Sequence, residues 1–162
     1  EKAPKDAKGA DKYMEAYKTG LVGQCTWYAT GRFKEVYGIE LSNMGNAKNW
    51  IDNSSKCKYI KAITDLSDVP EQAIAVFKPT EEFKDMAGHV TFIEYVERDI
   101  NGKPINIYYT DANGSGDLRK NEFDLGYDGT VKMVSFRDFK NPYGLTLIGY
   151  IVPVNEKVSN PQ

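Results

Sequence analysis

The spacing of apolar residues changes once along this chain, and the change divides it into two parts. Over residues 10–18, Tyr13, Met14 and Tyr17 fall at helical spacing, which predicts a short leading helix. Gly20 and Gly23 interrupt the pattern. It resumes over residues 26–37, where Ala29, Phe33, Val36 and Tyr37 outline an amphipathic helix that Gly38 stops. A second short helix is expected over residues 46–53, with Ala47, Trp50 and Ile51 facing inward. Beyond it the period becomes that of strands. Residues 73–77 form an apolar run closed by Pro79, and residues 90–97 and 105–110 are rich in β-branched and aromatic side chains. Residues 131–136 and 145–152 extend the set to about five strands, or six with a further edge. Helices first and an antiparallel sheet after them make the fold class α+β.

The segment Asp99-Ile100-Asn101-Gly102-Lys103 carries the Asn-Gly signal of a hairpin turn. A two-residue turn pairs Ile100 with Lys103 and carries position 89 opposite Gly114. A looser turn pairing Glu97 with Lys103 carries it opposite Asp111. Either register sets His89 beside Asp111-Ala112-Asn113-Gly114, and Asp111 and Asn113, two apart, share a face.

Composition narrows the function classes. The chain has 162 residues, 41% of them hydrophobic, enough for one domain with a real core. Its net charge is −2, lysines and acids alternate, and no basic block has the density that nucleic-acid binding requires. No apolar run approaches the roughly 20 residues that span a bilayer, so no membrane insertion by this segment is expected. Residues 1–20 read as a polar linker with the leading helix, residues 21–154 as the working domain, and residues 155–162 as a polar tail. Any export signal would lie upstream of residue 1. Two cysteines and one histidine supply neither a disulfide framework nor a structural zinc site.

Two of those three residues nonetheless carry candidate chemistry. Cys25 follows a glycine turn at the start of the first strong helix, where unpaired N–H groups favour a thiolate and face a developing oxyanion. Any step that needs an imidazole must use His89, the one histidine. A carboxylate and an amide beside it would fix its tautomer and steady its imidazolium. The blander readings are a cysteine packed as a small apolar residue, a solvent-facing histidine at a strand end, and ordinary turn chemistry for Asp111 and Asn113. Cys57 sits in a polar stretch and reads as a partly buried free thiol; a bond to Cys25 would silence the nucleophile.

Gly23-Gln24-Cys25-Thr26-Trp27-Tyr28-Ala29 resembles the nucleophile motif of CHAP domains, the cysteine, histidine-dependent amidohydrolases and peptidases. Further matches follow in order. Ala73-Ile74-Ala75-Val76-Phe77 is similar to the strand before the histidine. Gly88-His89-Val90-Thr91-Phe92-Ile93-Glu94 resembles the histidine motif, Asp111-Ala112-Asn113 the acid step, and Ile148-Gly149-Tyr150-Ile151 the closing strand. The resemblance runs over residues 21–153. It implies a papain-like fold of the NlpC/P60 type, with helices packed on an antiparallel sheet, and hydrolysis of amide bonds in bacterial peptidoglycan.

On the same resemblance Cys25 is the nucleophile, and His89 is the base and then the acid. Asp111 orients the imidazole with Asn113 as an auxiliary partner, and Gln24 and the Cys25 N–H line the oxyanion hole. Where the family often has Glu, this chain has Asp111, one methylene shorter, which leaves the orienting role open between Asp111 and Asn113. NlpC/P60 peptidases orient their histidine with a second one, which this chain lacks. Asp6 and Asp11 do not reproduce the calcium loop of some phage members, so no metal or other cofactor is expected. Trp27 and Tyr28 read as core, and Tyr109 as a wall of the groove. The expected place is the bacterial cell wall or the medium outside it. The expected setting is an autolysin, a phage lysin, or a conjugation or secretion apparatus with further domains. Two rival readings are a non-catalytic wall-binding or scaffolding module and an amidase of a soluble amide.

Overall fold

The computed structural model describes residues 25–112 and 131–154. The expected leading helix, linker and tail, and the side chains of Gln24 and Asn113, lie outside those residues. Helix α1 (Cys25–Tyr37) occupies the predicted place, and the N–H of Gly38 closes it by donating to Lys34 O at 2.7 Å. The second helical region is split into a 3-10 turn (Ala47–Asn49), one α-turn, α2 (Trp50–Asn53), and another 3-10 turn (Ser54–Lys56). Trp50 and Ala47 are buried there, and Ile51 packs on the core from its margin.

Six strands follow: β1 (Ile60–Ile63), β2 (Ala73–Pro79), β3 (His89–Arg98), β4 (Pro104–Thr110), β5 (Lys132–Ser135) and β6 (Leu145–Pro153). They form one antiparallel sheet in the order β1-β6-β2-β3-β4-β5. β1 was not expected from the sequence. The strand expected over residues 131–136 stops at Ser135, because Ser135 caps the single turn α3 (Phe136–Phe139) by accepting from Asp138 N–H at 3.1 Å.

The sheet is covered on both faces, which explains the unbroken apolar run of β2. Ile74 and Val76 join Phe33, Trp50, Val90, Phe92 and Ile151 under α1. Ala75 and Phe77 turn the other way, against Ile93, Ile107, Leu147, Tyr150 and Phe139. A register shift between Ile93 and Tyr95 reverses the alternation of β3. Ile93 and Val96, three apart, therefore lie in the same core layer.

The hairpin holds the register of the two-residue turn over three pairs, Tyr95 with Tyr108, Val96 with Ile107 and Glu97 with Asn106, and departs from it by one residue at either end. Its loop runs from Asp99 to Lys103, and Asp99 Oδ1 accepts from the N–H groups of Asn101 at 2.8 Å and Lys103 at 2.9 Å. Gly102 sits at φ +84°, and pairing begins at Arg98 with Pro104. Asp99 closes the loop with its backbone as well, its N–H donating to Lys103 O and its carbonyl accepting from Gly102 N–H, each at 2.9 Å. Towards the far end of the hairpin, Phe92 pairs with Thr110. Continuing that register sets Asp111 across from Thr91, one pleat from His89 on the same face.

Candidate active site

Three elements converge where β3 begins. Cys25 lies at the N-terminal end of α1 and is buried, with 8% of its surface exposed. His89 is the first residue of β3 and is held there by its neighbour. Gly88 has φ +86°, and a Cβ on it would lie 2.6 Å from Phe77 O and 2.9 Å from Lys48 N. No side chain fits between β2 and the turn before α2, so glycine at 88 lets β3 start close enough to both for His89 to reach the helix end.

The His89 imidazole Nε2 is 2.8 Å from Asp111 Oδ2. Asp111 follows β4 directly and is 4% exposed. Its other oxygen, Oδ1, accepts from Lys132 Nζ at 2.7 Å, and Lys132 is the first residue of β5. With Nε2 bound to a carboxylate, Nδ1 is the nitrogen left for the thiol. Burial disfavours a charged imidazole, but the electrostatic pull and hydrogen bonds of Cys25 and Asp111 outweigh it. The His89 pKa is pushed up to about 10. Burial also opposes charge on Asp111, yet the hydrogen bonds and charges of His89 and then Lys132 hold its carboxyl below the usual range. These partners favour the imidazolium form of His89, the form whose proton a cysteine nucleophile's reaction draws on.

A second polar chain fixes the helix to the strands. Tyr28, one turn after Cys25, donates its hydroxyl to Thr110 Oγ1 at 2.8 Å, and Thr110 donates to Glu94 Oε2 at 2.7 Å. Arg32 grips the same carboxylate with Nε at 3.1 Å and Nη2 at 2.8 Å, and reaches Glu35 with Nη1 at 2.8 Å. The Glu94 hydrogen bond holds the Arg32 guanidinium firmly protonated. Thr110 is the residue before Asp111, so this chain ties the helix that carries Cys25 to the segment that carries the acid.

The structure thus brings Cys25, His89 and Asp111 together. Cys57 is a free, buried thiol whose Sγ faces the carbonyls of Glu40 and Lys58 at 3.8 and 3.7 Å, and no bond joins it to Cys25. Trp27 and Tyr28 are core residues, as expected. Tyr109 is half-buried and packs on Phe139 with ring centroids 5.6 Å apart. Lys132 was missed. The signal that finds it is the pairing of Tyr109 with Lys132 across β4 and β5, which no local pattern announces.

The family model described as CHAP domain matches residues 13–113. No curated protein matches the chain. Nine solved chains match, among them an N-acetylmuramoyl-L-alanine amidase from Staphylococcus aureus, 20% identical, with a TM-score of 0.51. That alignment covers 82% of this chain and 31% of the amidase chain, so the present chain spans under a third of that protein's length. At this identity the likeness concerns the fold. The matched family segment spans well over half of the chain and contains Cys25, His89 and Asp111. The chain belongs to the CHAP domain family, the cysteine, histidine-dependent amidohydrolases and peptidases.

Proposed function

We propose that the chain hydrolyses an amide bond of bacterial peptidoglycan, with Cys25 as nucleophile and His89 as its proton carrier. The observation that carries this reading is the His89 imidazole held between the Cys25 thiol and the Asp111 carboxylate. Nδ1 takes the thiol proton, and the thiolate attacks the carbonyl carbon. The oxyanion collects against the Cys25 N–H at the helix end, with the Gln24 amide as its second donor. The C–N bond breaks as the imidazolium gives its proton to the leaving amine. His89 then draws a proton from water, whose hydroxide attacks the thioester and releases the acid and Cys25. Asp111 holds Nε2 throughout, and Asn113 assists it. The mechanism takes no metal or cofactor.

The substrate class rests on the family and on the fold shared with an enzyme named as an N-acetylmuramoyl-L-alanine amidase. The bond is either that amide or a peptide bond of the stem or cross-bridge. Peptidoglycan puts the site of action outside the bacterial membrane. The small share of the amidase chain that is matched fits a module of a larger autolysin, phage lysin or conjugation protein.

The test is release of amine termini from purified peptidoglycan by the wild type, Cys25→Ala and His89→Ala. Mass spectrometry of the fragments names the bond. Cleavage by the wild type and loss of at least about a thousandfold in both variants is expected. Folded, reduced wild type that cleaves no wall from several species, or an active Cys25→Ala, overturns the reading.

A further inference from the structure

Asp111 lies between two basic groups on neighbouring strands. Oδ2 takes His89 Nε2 at 2.8 Å, and Oδ1 takes Lys132 Nζ at 2.7 Å. A carboxylate held through one oxygen can rotate about its Cβ–Cγ bond and exchange oxygens. Held through both, it has one plane and one orientation. The placement is built into the sheet. Tyr109 pairs with Lys132, so the lysine stands beside the last turn of backbone before Asp111, on the same face. Asp111 is 4% exposed and the Lys132 side chain 28% exposed, so this pair is shielded far better than an ordinary surface bridge.

Asp111 aims its oxygens through two side-chain torsions, and Lys132 fixes that aim from the side away from His89. Lys132 is no substitute for His89 or Cys25. We propose that Lys132 is a positioning residue of the active site, setting the plane of the Asp111 carboxylate and supplying its counter-charge, so that the His89 imidazole keeps the orientation that Cys25 chemistry needs. This deepens the reading above and rests on it.

Among the described residues the charged groups around the row can be named. Asp111 faces His89 from β3 and Lys132 from β5, and His89 faces Cys25 from α1. From β2, His89 meets only the uncharged ring of Phe77, at 6.4 Å between centroids. Glu94 and Arg32 pair with each other in the separate chain under α1. Removing the Lys132 charge takes a positive neighbour away from Asp111 and, through it, from His89. Every nearby proton becomes harder to lose, and the acid limb of any activity that needs the thiolate moves to higher pH.

The experiment compares the full chain as wild type, Lys132→Met, Lys132→Gln and Lys132→Arg, with circular dichroism to establish folding. The first readout is the rate of Cys25 alkylation by iodoacetamide against pH, with peptide mapping to separate Cys25 from Cys57. It needs no substrate. The second is the ring NMR signal of His89, unambiguous because the chain has one histidine. In folded Lys132→Met the acid limb moves up, leaving alkylation about tenfold slower at its acid end, and the His89 signals titrate with it. Lys132→Arg recovers the wild-type profile. Should Met prevent folding, Gln decides the matter, since it still donates to Oδ1 without the charge. Profiles that superimpose on wild type, with only melting temperature lowered, make Lys132 a strap between β4 and β5 and overturn the proposal. Wall cleavage by Cys25→Ala at the wild-type rate overturns instead the cysteine reading beneath it, and shows in a separate assay.

Discussion

Asp111 has a different partner on each oxygen, and its replacement shows what the pair achieves. Asp111→Asn keeps the shape but puts an amide where an acceptor of full charge stood, so the imidazolium loses its stabilising partner. We expect kcat on peptidoglycan to fall by about a thousandfold or more, with KM little changed. A loss confined to KM would show that Asp111 serves binding instead. Cys25 and His89 were legible because their chemistry is written locally, in a glycine turn before a helix and in a single imidazole at a strand start. Asp111 was legible through the hairpin, because the two-residue-turn register read from Asn101-Gly102 holds from Tyr95 to Glu97 and slips by a single residue before the site. The Asp99 side chain and the register shift at Ile93 and Tyr95 set the true pairing, and neither follows from turn propensity. Lys132 depends on a pairing between strands far apart in sequence, which period and composition do not encode.

At the scale of elements, the decisive joints are Gly88 and the Arg32–Glu94 clamp. Gly88→Ala forces a methyl group against the Phe77 carbonyl and strains a left-handed backbone. The strain alone costs about 1–2 kcal/mol, and β3 must shift besides. Urea unfolding should show that loss, and activity should fall further than stability, because the displaced residue is His89. Activity unchanged in the folded variant would mean that the start of β3 tolerates movement. Arg32→Met leaves Glu94, with 18% of its side chain exposed, without its bidentate partner. We expect a loss of about 1–3 kcal/mol by urea unfolding; a neutral result would mean that Glu94 finds water. The helix of residues 26–37 and the central strands were legible because both have long, regular patterns. β1 was not, since its four residues include an exposed lysine and it exists through pairing with β6. The helical region over residues 46–53 was legible in place, and the structure splits it into a 3-10 turn and one α-turn, with Trp50 Nε1 donating back to Gly45 O at 2.9 Å.

For the whole molecule, His89 and Asp111 bracket the pH range of stability around neutrality. His89 is raised in the folded state, so its contribution is complete below its ordinary value of 6.5 and drains away as pH climbs through about 10. Asp111 is lowered, so its contribution is present above its ordinary 3.8 and is lost as pH falls through the folded value. Urea unfolding across pH should therefore give a stability that declines between about 6.5 and 10, and His89→Gln should flatten that stretch. An unchanged slope in that variant would remove His89 from the account. One consequence follows from the order in which the working side chains stand. During catalysis Cys25, His89, Asp111 and Lys132 read minus, plus, minus, plus across α1, β3, β4 and β5. Such an alternating row sums to zero, and each charge lies against one of opposite sign. The site can then sit under protein cover without a counter-ion from the medium, while the two ion pairs point the same way and leave a dipole along the row. A charged wall polymer would meet no net charge from this machinery, only a negative end at Cys25 and a positive end at Lys132.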